Sequence, residues 1–558
     1  MTVRRASVVN KRRKKKPSLR LTLSAAILLI IGGLVAFWLF TQGRPLARDL
    51  PVGASIIPQD AVFSLSLTTD TQQWQKLQEF GTPETKTELD QNLWQLRDRF
   101  LTNYGYDFQK DIKPWVGETV TIAILAPAKT TPQPIAEGNT SSQQSVIMVL
   151  PIKKPDILKN VIAQTKASKQ NKWTERTYQD ITIQQGEKLS AALLGEKFLV
   201  IADSDQTTER AIDAYKNKLN LANSVGFAGN FPKIANYQPF AQFYINVPIA
   251  AKIAATAPNR RLPAQVLTQL QNNQGLAGTL SLESQGISLK GISWLNTQSK
   301  RVLAVENRAG NIQNRIPGET LMMLSVSNLQ RVWSEYVSTS NNNPLSPFAP
   351  QDFRKQVKTL TTLDLEQDLL SWMQKEFAIC IIPNSPQAGT SENFRAGLVV
   401  MVQASDRQKA ENALQKLDEA MRNQFQLQTQ TATIANKPVI NWVAPYGTVT
   451  ATHGWLDGDV VFFVLGGPVT DQLIPQPNQT LANTQLFQQT VPTELNPANT
   501  QFFLDVEKIA QHFNLSSLFP NQKNLISTTQ TIGLTTAIND NRSIRYDVLL
   551  KLKKAINS

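Results

Sequence analysis

The sequence predicts an α+β protein: one N-terminal transmembrane helix followed by two homologous α+β lobes with mixed or largely antiparallel sheets. Three observations predict it. Residues 21–40, LTLSAAILLIIGGLVAFWLF, carry no charge, and the hydrocarbon core of a bilayer is spanned by about 20 apolar residues of helix. The chain beyond alternates short strand-like and helix-like stretches, punctuated by Gly and Pro. Segments of the first half return in the second, in order, at spacings of 257 to 260 residues.

The N-terminal elements come first. Residues 1–20 hold nine basic residues and no acidic ones. Placed before an apolar helix, such a run reads as a cytoplasmic tail able to touch anionic lipid. Of the formal net charge of +14, this tail takes nine, which leaves +5 for the rest. That residue is too mild to argue for a nucleic-acid surface. The apolar run ends in Phe37, Trp38, Leu39 and Phe40, where a cleaved signal would show small residues, so it reads as an uncleaved anchor. Residues 41–50 form a linker. The body is then expected outside the cytoplasm, in a periplasm or a thylakoid lumen. Cys380 is the one cysteine, so no intramolecular disulfide supports the fold. In the run FAICII it reads as a buried small hydrophobe.

Strands are read at 61–67, 119–125, in VIMVLPI, at FLVIA and at QFYINV. Trp74, Leu77 and Phe80 stand at helical spacing, as do Leu89, Leu93, Leu96 and Phe100. Pro114, Trp115 and Gly117 read as a turn. Residues 128–145 are Pro, Thr, Gly and Ser-rich and read as an exposed loop. Helices are expected at 155–162, 206–215 and within 248–273, and a hairpin at 276–295 with Gly286 in its turn.

The repeat sets the domains. DFQKDIKPW returns as DLEQDLLSW, pairing Trp115 with Trp372 at a spacing of 257. QFYINV returns as QFFLDV, pairing Phe243 with Phe502 at 259, and Trp74 stands 259 before Trp333. LANSVGF returns as LANTQLF at 260. Several matches in order at one spacing mark a duplication. Residues 51–300 form one lobe and 301–558 the other, with the matched aromatic residues in equivalent cores.

The segments PVGASIIPQDAVFSLSLTTD, WQKLQEFGTPET and DIKPWVG resemble a cyanobacterial family of membrane-anchored proteins catalogued as a domain of unknown function. The resemblance runs from about residue 51 to near the C-terminus. It implies a host with plasma membrane and thylakoids, and it carries no catalytic residues with it.

No catalytic, cofactor-binding or metal site is read from the sequence. His453 and His512 lack the close pairing of a zinc motif. Asp203, Asp205 and Thr207 resemble the start of a calcium loop, but the twelfth position is Ala214, where a bidentate Glu is needed; helix capping by Ser204 or Asp205 is expected instead. Asp457-Gly458-Asp459 reads as a hairpin turn. The sequons at Asn139, Asn478 and Asn514 are short matches without weight. The expectation is a non-enzymatic interaction or scaffold protein with protein partners in the same membrane. A carrier of a hydrophobic ligand or peptide between the lobes stands second, and an enzyme with an unrecognised site third.

Overall fold

The computed structural model describes residues 50–558 apart from 101–105, 128–144, 168–172, 188, 257–269, 271, 341–347, 385–395, 467, 514–522, 539 and 555–558. The basic tail, residues 21–40, most of the linker and the 128–144 loop therefore lie outside the described residues, as do Asn139 and Asn514.

Two expectations are corrected here. No helix among the described residues is long and apolar enough to cross a membrane. The longest, Arg407–Phe425 and Pro83–Phe100, carry charged residues along their length. The N-terminal transmembrane helix drops out of the fold description. The localisation built on it, a cytoplasmic N-terminus with a periplasmic or lumenal body, falls with it. The second correction concerns the sheets. The two halves do not hold separate sheets; all the strands join in one antiparallel sheet of 20.

In the first half the strands are β1 (Ala61–Thr68), β2 (Thr119–Leu125), β3 (Ser145–Pro151), β4 (Thr174–Tyr178), β5 (Ile181–Gln185), β6 (Ser190–Leu194), β7 (Phe198–Ala202), β8 (Ala241–Asn246), β9 (Asn273–Glu283) and β10 (Gly286–Leu295). Their order across the sheet is β4-β5-β6-β7-β3-β2-β1-β8-β9-β10. In the second half they are β11 (Met322–Val326), β12 (Phe377–Pro383), β13 (Ala396–Gln403), β14 (Gln428–Ile434), β15 (Lys437–Val443), β16 (Val449–Leu456), β17 (Val460–Leu465), β18 (Thr500–Asp505), β19 (Thr529–Ala537) and β20 (Ser543–Leu552). Their order, β14-β15-β16-β17-β13-β12-β11-β18-β19-β20, is the same, strand for strand.

The halves join where β10 pairs with β20, from Gly286 opposite Lys551 to Trp294 opposite Ser543. Each of these strands would otherwise be an unpaired edge, which folded proteins avoid. Two glycines let them approach. A Cβ on Gly286 would stand 1.9 Å from the Leu550 carbonyl oxygen, and one on Gly291 would stand 1.6 Å from the Tyr546 ring. The β9–β10 turn is made by residues 284–285, so Gly286 opens β10 instead of sitting in the turn.

One row of directly opposed residues crosses all 20 strands. From the centre it runs Lys290, Thr279, Gln242, Ser66, Thr121, Val149, Val200, Ala192, Ile183 and Arg176. On the other side it runs Asp547, Thr535, Gln501, Ser325, Ala378, Met401, Phe462, Gly454, Val439 and Ala432. Lys290 and Asp547 face each other at the middle. The row is polar near the centre and apolar further out, except for Arg176 at its first-half end, and it matches each position of one half to one of the other.

This face carries the two main cores, one around Ile183, Phe227 and Tyr244 and one around Met323, Val439 and Phe503. The opposite face is covered around Trp115 in the first half and Trp372 in the second. Both tryptophans sit at the end of the same local device, Asp-x3-Asp-x3-Trp. Asp107 accepts from the N–H groups of Gln109 and Lys110, and Asp364 from those of Glu366 and Gln367. Asp111 and Asp368 reach back to the N–H groups of Asp107 and Asp364 at 2.7 and 2.8 Å. Each indole N–H then donates to the carbonyl of the second Asp. Three of the orphan donors at each helical start are satisfied, and the chain bends to drive the indole into the core.

Candidate functional site

The two ends of the row differ, and the difference leaves a cleft in the second half. In the first half the helix Asp205–Asn217 follows β7 directly. Ser204 caps it by accepting from the Thr207 N–H, and Asp203 accepts from the Val146 N–H at 2.7 Å and the Thr207 hydroxyl at 3.0 Å. The calcium-like acids thus have structural partners. Asp205 faces Arg176 at 3.0 Å, and Glu209 faces it at 2.6 Å. The Arg176 side chain, one-third exposed, lies between the end of the sheet and this helix.

In the second half the corresponding segment contains Pro468, Pro475 and Pro477, which break a helix. Among its described residues only a 3-10 turn forms, Thr470–Gln472. Val469, Leu473 and Ile474 still bury themselves on the core face, as Ala211 and Ile212 do in the first half. The residue in line with Arg176 is Ala432. A cleft of about 280 Å³ remains, lined by Ile434, Asn441, Thr450, Thr452, Val464, Pro468 and Asp471 among others. On its floor the Thr452 hydroxyl donates to Asn441 Oδ1 at 2.8 Å. Asp471 is exposed and has no ion pair among the described residues.

At the middle of the row sits a charge cluster whose buried members are Arg545 and Asp547. Glu494 accepts from Lys290 at 2.5 Å and Arg545 at 2.6 Å. Burial raises the Glu494 pKa, but the two cations outweigh it and hold the carboxyl below its ordinary value. Asp547 behaves oppositely: burial pushes it up to about 6. Arg545 stands 3.6 Å from it, too far for a hydrogen bond, because the guanidinium is turned towards Glu494. The cluster ties the halves together, with Arg545 and Asp547 buried beneath a half-exposed Glu494.

His453 is buried, with Nε2 2.8 Å from Asp418 Oδ1; the Trp442 N–H donates to the same oxygen at 2.6 Å. This is an interior hydrogen-bonded group packed by Phe463. His512 ends the helix Val506–His512 on another element. Cys380 is fully buried, and burial raises its thiol pKa. Asp457-Gly458-Asp459 joins β16 to β17 as a turn, its acids paired with Lys437 and Arg407. Asn478 lies exposed in a loop. No group of three or more His, Cys, Asp and Glu among the described residues could hold a metal ion. None of the cleft residues was singled out from the sequence. The signal that exposes them is the replacement of Arg176 by Ala432, and it needs the strand register to be seen.

The family model described as protein of unknown function (DUF3352) matches residues 21–552. That match does not extend to a cyanobacterial origin. No curated protein matches the chain. Among solved structures, crystal form III of TP0453 is similar at 13% identity and a TM-score of 0.25, covering 45% of this chain and 81% of that one. Crystal form IV gives 11% and 0.26, over 44% and 81%. Crystal form I gives 13% and 0.24, over 45% and 81%. Scores this low carry no argument about fold or function.

Proposed function

The chain belongs to the DUF3352 family of proteins of unknown function, and we propose that it works by binding partner proteins and not by catalysis. One observation carries the reading. The sheet face that Arg176 closes from within in the first half is left as a cleft in the second. The cleft is mixed in chemistry: hydroxyl and amide groups on the floor, aliphatic walls and one carboxylate at the rim. Its volume is near the lower end of ligand sites, which suits a side chain presented by another protein better than a whole cofactor. The duplicated sheet around it is a stiff frame, and binding groups on rigid elements hold their geometry best.

The carrier reading placed a ligand between the lobes. The junction there is filled by the β10–β20 pair and the Glu494 cluster, so the cleft of the second half is the better place for any ligand. The test is capture of partners by the full-length chain and by Thr450→Trp, which fills the cleft from an exposed lining position. Partners held there should be lost with Thr450→Trp, and a purified partner should show the same loss by calorimetry. Unchanged capture would remove the cleft from the function. Turnover of a substrate by the purified chain would remove the non-catalytic reading.

A further inference from the structure

We propose that the cleft of the second half binds an arginine side chain of a partner protein. The proposal rests on the reading of that cleft as a binding site, and the internal repeat supplies the ligand chemistry. Arg176 is opposed to Ile183, which is opposed to Ala192. Ala432 is opposed to Val439, which is opposed to Gly454. The neighbouring row agrees: Gln185, Ser190 and Ala202 match Asn441, Thr452 and Val464. Counting on from those ends, Glu209 stands seven residues after Ala202 and Asp471 seven after Val464. The carboxylate that holds the guanidinium of Arg176 at 2.6 Å thus has a counterpart in the second half, while the guanidinium does not.

What the first half fills with its own arginine, the second half leaves to an arginine from elsewhere. The aliphatic stem would lie along Ile434 and Val464, as long basic side chains cover apolar surface with their methylenes. The planar head would meet Asp471 at the rim and free acceptor capacity on Thr450 and Asn441. A guanidinium is favoured over an ammonium because it is less strongly hydrated and presents several donors in a fixed fork. The second acid of the first half, Asp205, has a glycine in its place here. The site therefore has one carboxylate and reversible affinity.

The experiment is calorimetric titration of the purified full-length chain with the peptides Gly-Arg-Gly, Gly-Lys-Gly and Gly-Leu-Gly, and with free arginine. Gly-Arg-Gly should bind one per chain, roughly tenfold or more tighter than the other two peptides, the difference a charge-assisted hydrogen bond makes. Free arginine binding equally well would assign the site to a small guanidinium ligand and overturn the protein-partner assignment. Asp471→Asn should weaken Gly-Arg-Gly roughly tenfold. Ala432→Arg should abolish its binding by placing the chain's own guanidinium in the cleft, with the thermal melt of each variant confirming the fold. Binding that survives both substitutions, or that does not distinguish arginine from leucine, overturns the proposal. If no peptide binds while Thr450→Trp still loses captured partners, the arginine assignment fails and the binding reading stands. If Thr450→Trp loses nothing, both fail.

Discussion

The first and second halves share strand order, register and the Asp-x3-Asp-x3-Trp device, yet they finish their sheets differently. The first half ends on Arg176, locked to Asp205 and Glu209 under a full helix. The second ends on Ala432, two residues along β14 from Ile434 of the cleft wall, with a short 3-10 turn in place of the helix. The middle differs too. There the two equivalent strands β10 and β20 face one another, so a perfect repeat would set the one central residue against its own copy. Two lysines or two aspartates directly opposite would repel. Lys290 against Asp547 removes that repulsion. Duplicated halves can stay alike where each packs against itself. They are forced apart where they meet, and they are free to differ where nothing in the chain depends on the match.

The largest effect tests the likeness. Trp115 and Trp372 are both essentially unexposed, and each indole N–H has the same kind of partner. Trp115→Ala and Trp372→Ala should each cost about 3 to 5 kcal/mol in chemical denaturation. A large inequality between them would break the equivalence that the strand register establishes. Trp74 and Trp333 make a useful contrast. Their indoles donate to different groups, the Thr68 carbonyl and the Glu366 carboxylate, so their truncations are expected to differ.

Those tryptophans were legible in the sequence because local spacing repeats them with their aspartates. So were the strands at QFYINV and QFFLDV, the Ser204 cap and the Asp457-Gly458-Asp459 turn. The single sheet was not legible. Its joining pair lies 257 residues apart, and an edge strand carries no local mark of which partner will cover it. The cleft was hidden for a related reason. WTERTYQD and QTQTATIAN share almost no letters, so the exchange of Arg176 for Ala432 emerges only when the sheet aligns them. The membrane helix was read from hydropathy alone, and that segment lies outside the described residues.

The next effect tests the junction. Burial raises the Asp547 carboxyl from an ordinary 3.8 to about 6. A raised carboxyl pKa favours the protonated form in the folded state. Its stabilising contribution is therefore complete below about pH 4 and is lost as pH rises through about 6. Asp547→Asn keeps the neutral form at every pH. It should match the unsubstituted chain near pH 4 and be more stable near pH 7.5, by at most about 3 kcal/mol. The same difference at both pH values would mean that the carboxylate is not strained by its burial.

The capping aspartates give a smaller, paired test. Asp107 and Asp364 each accept two backbone N–H groups, so Asp107→Ala and Asp364→Ala should each cost about 1 to 2 kcal/mol. Among the described residues, Asp368 has an added ion-pair partner that Asp111 lacks: Lys416 at 2.8 Å. That contact, with the Asp364 N–H, holds the Asp368 carboxyl below its ordinary value. Unequal costs of Asp111→Asn and Asp368→Asn, larger at Asp368, would locate the divergence in this pair.

The smallest effect on stability is the sharpest on function. Arg176 is one-third exposed with its two acids, and such pairs are worth little, about 1 kcal/mol or less when broken. Arg176→Ala should therefore leave the melt almost unmoved. It does, however, give the first half the residue that the second half has at that place, with Asp205 and Glu209 both still present. The space left by the guanidinium is bounded by two carboxylates where the natural cleft has one. The variant should bind Gly-Arg-Gly at two sites per chain, and the new site should be the tighter of the two. Adding Asp205→Asn and Glu209→Gln should remove the new site and leave the original. A variant that stays folded but gains no site would mean that Ala432 and Arg176 are aligned by register without being interchangeable in what they fill.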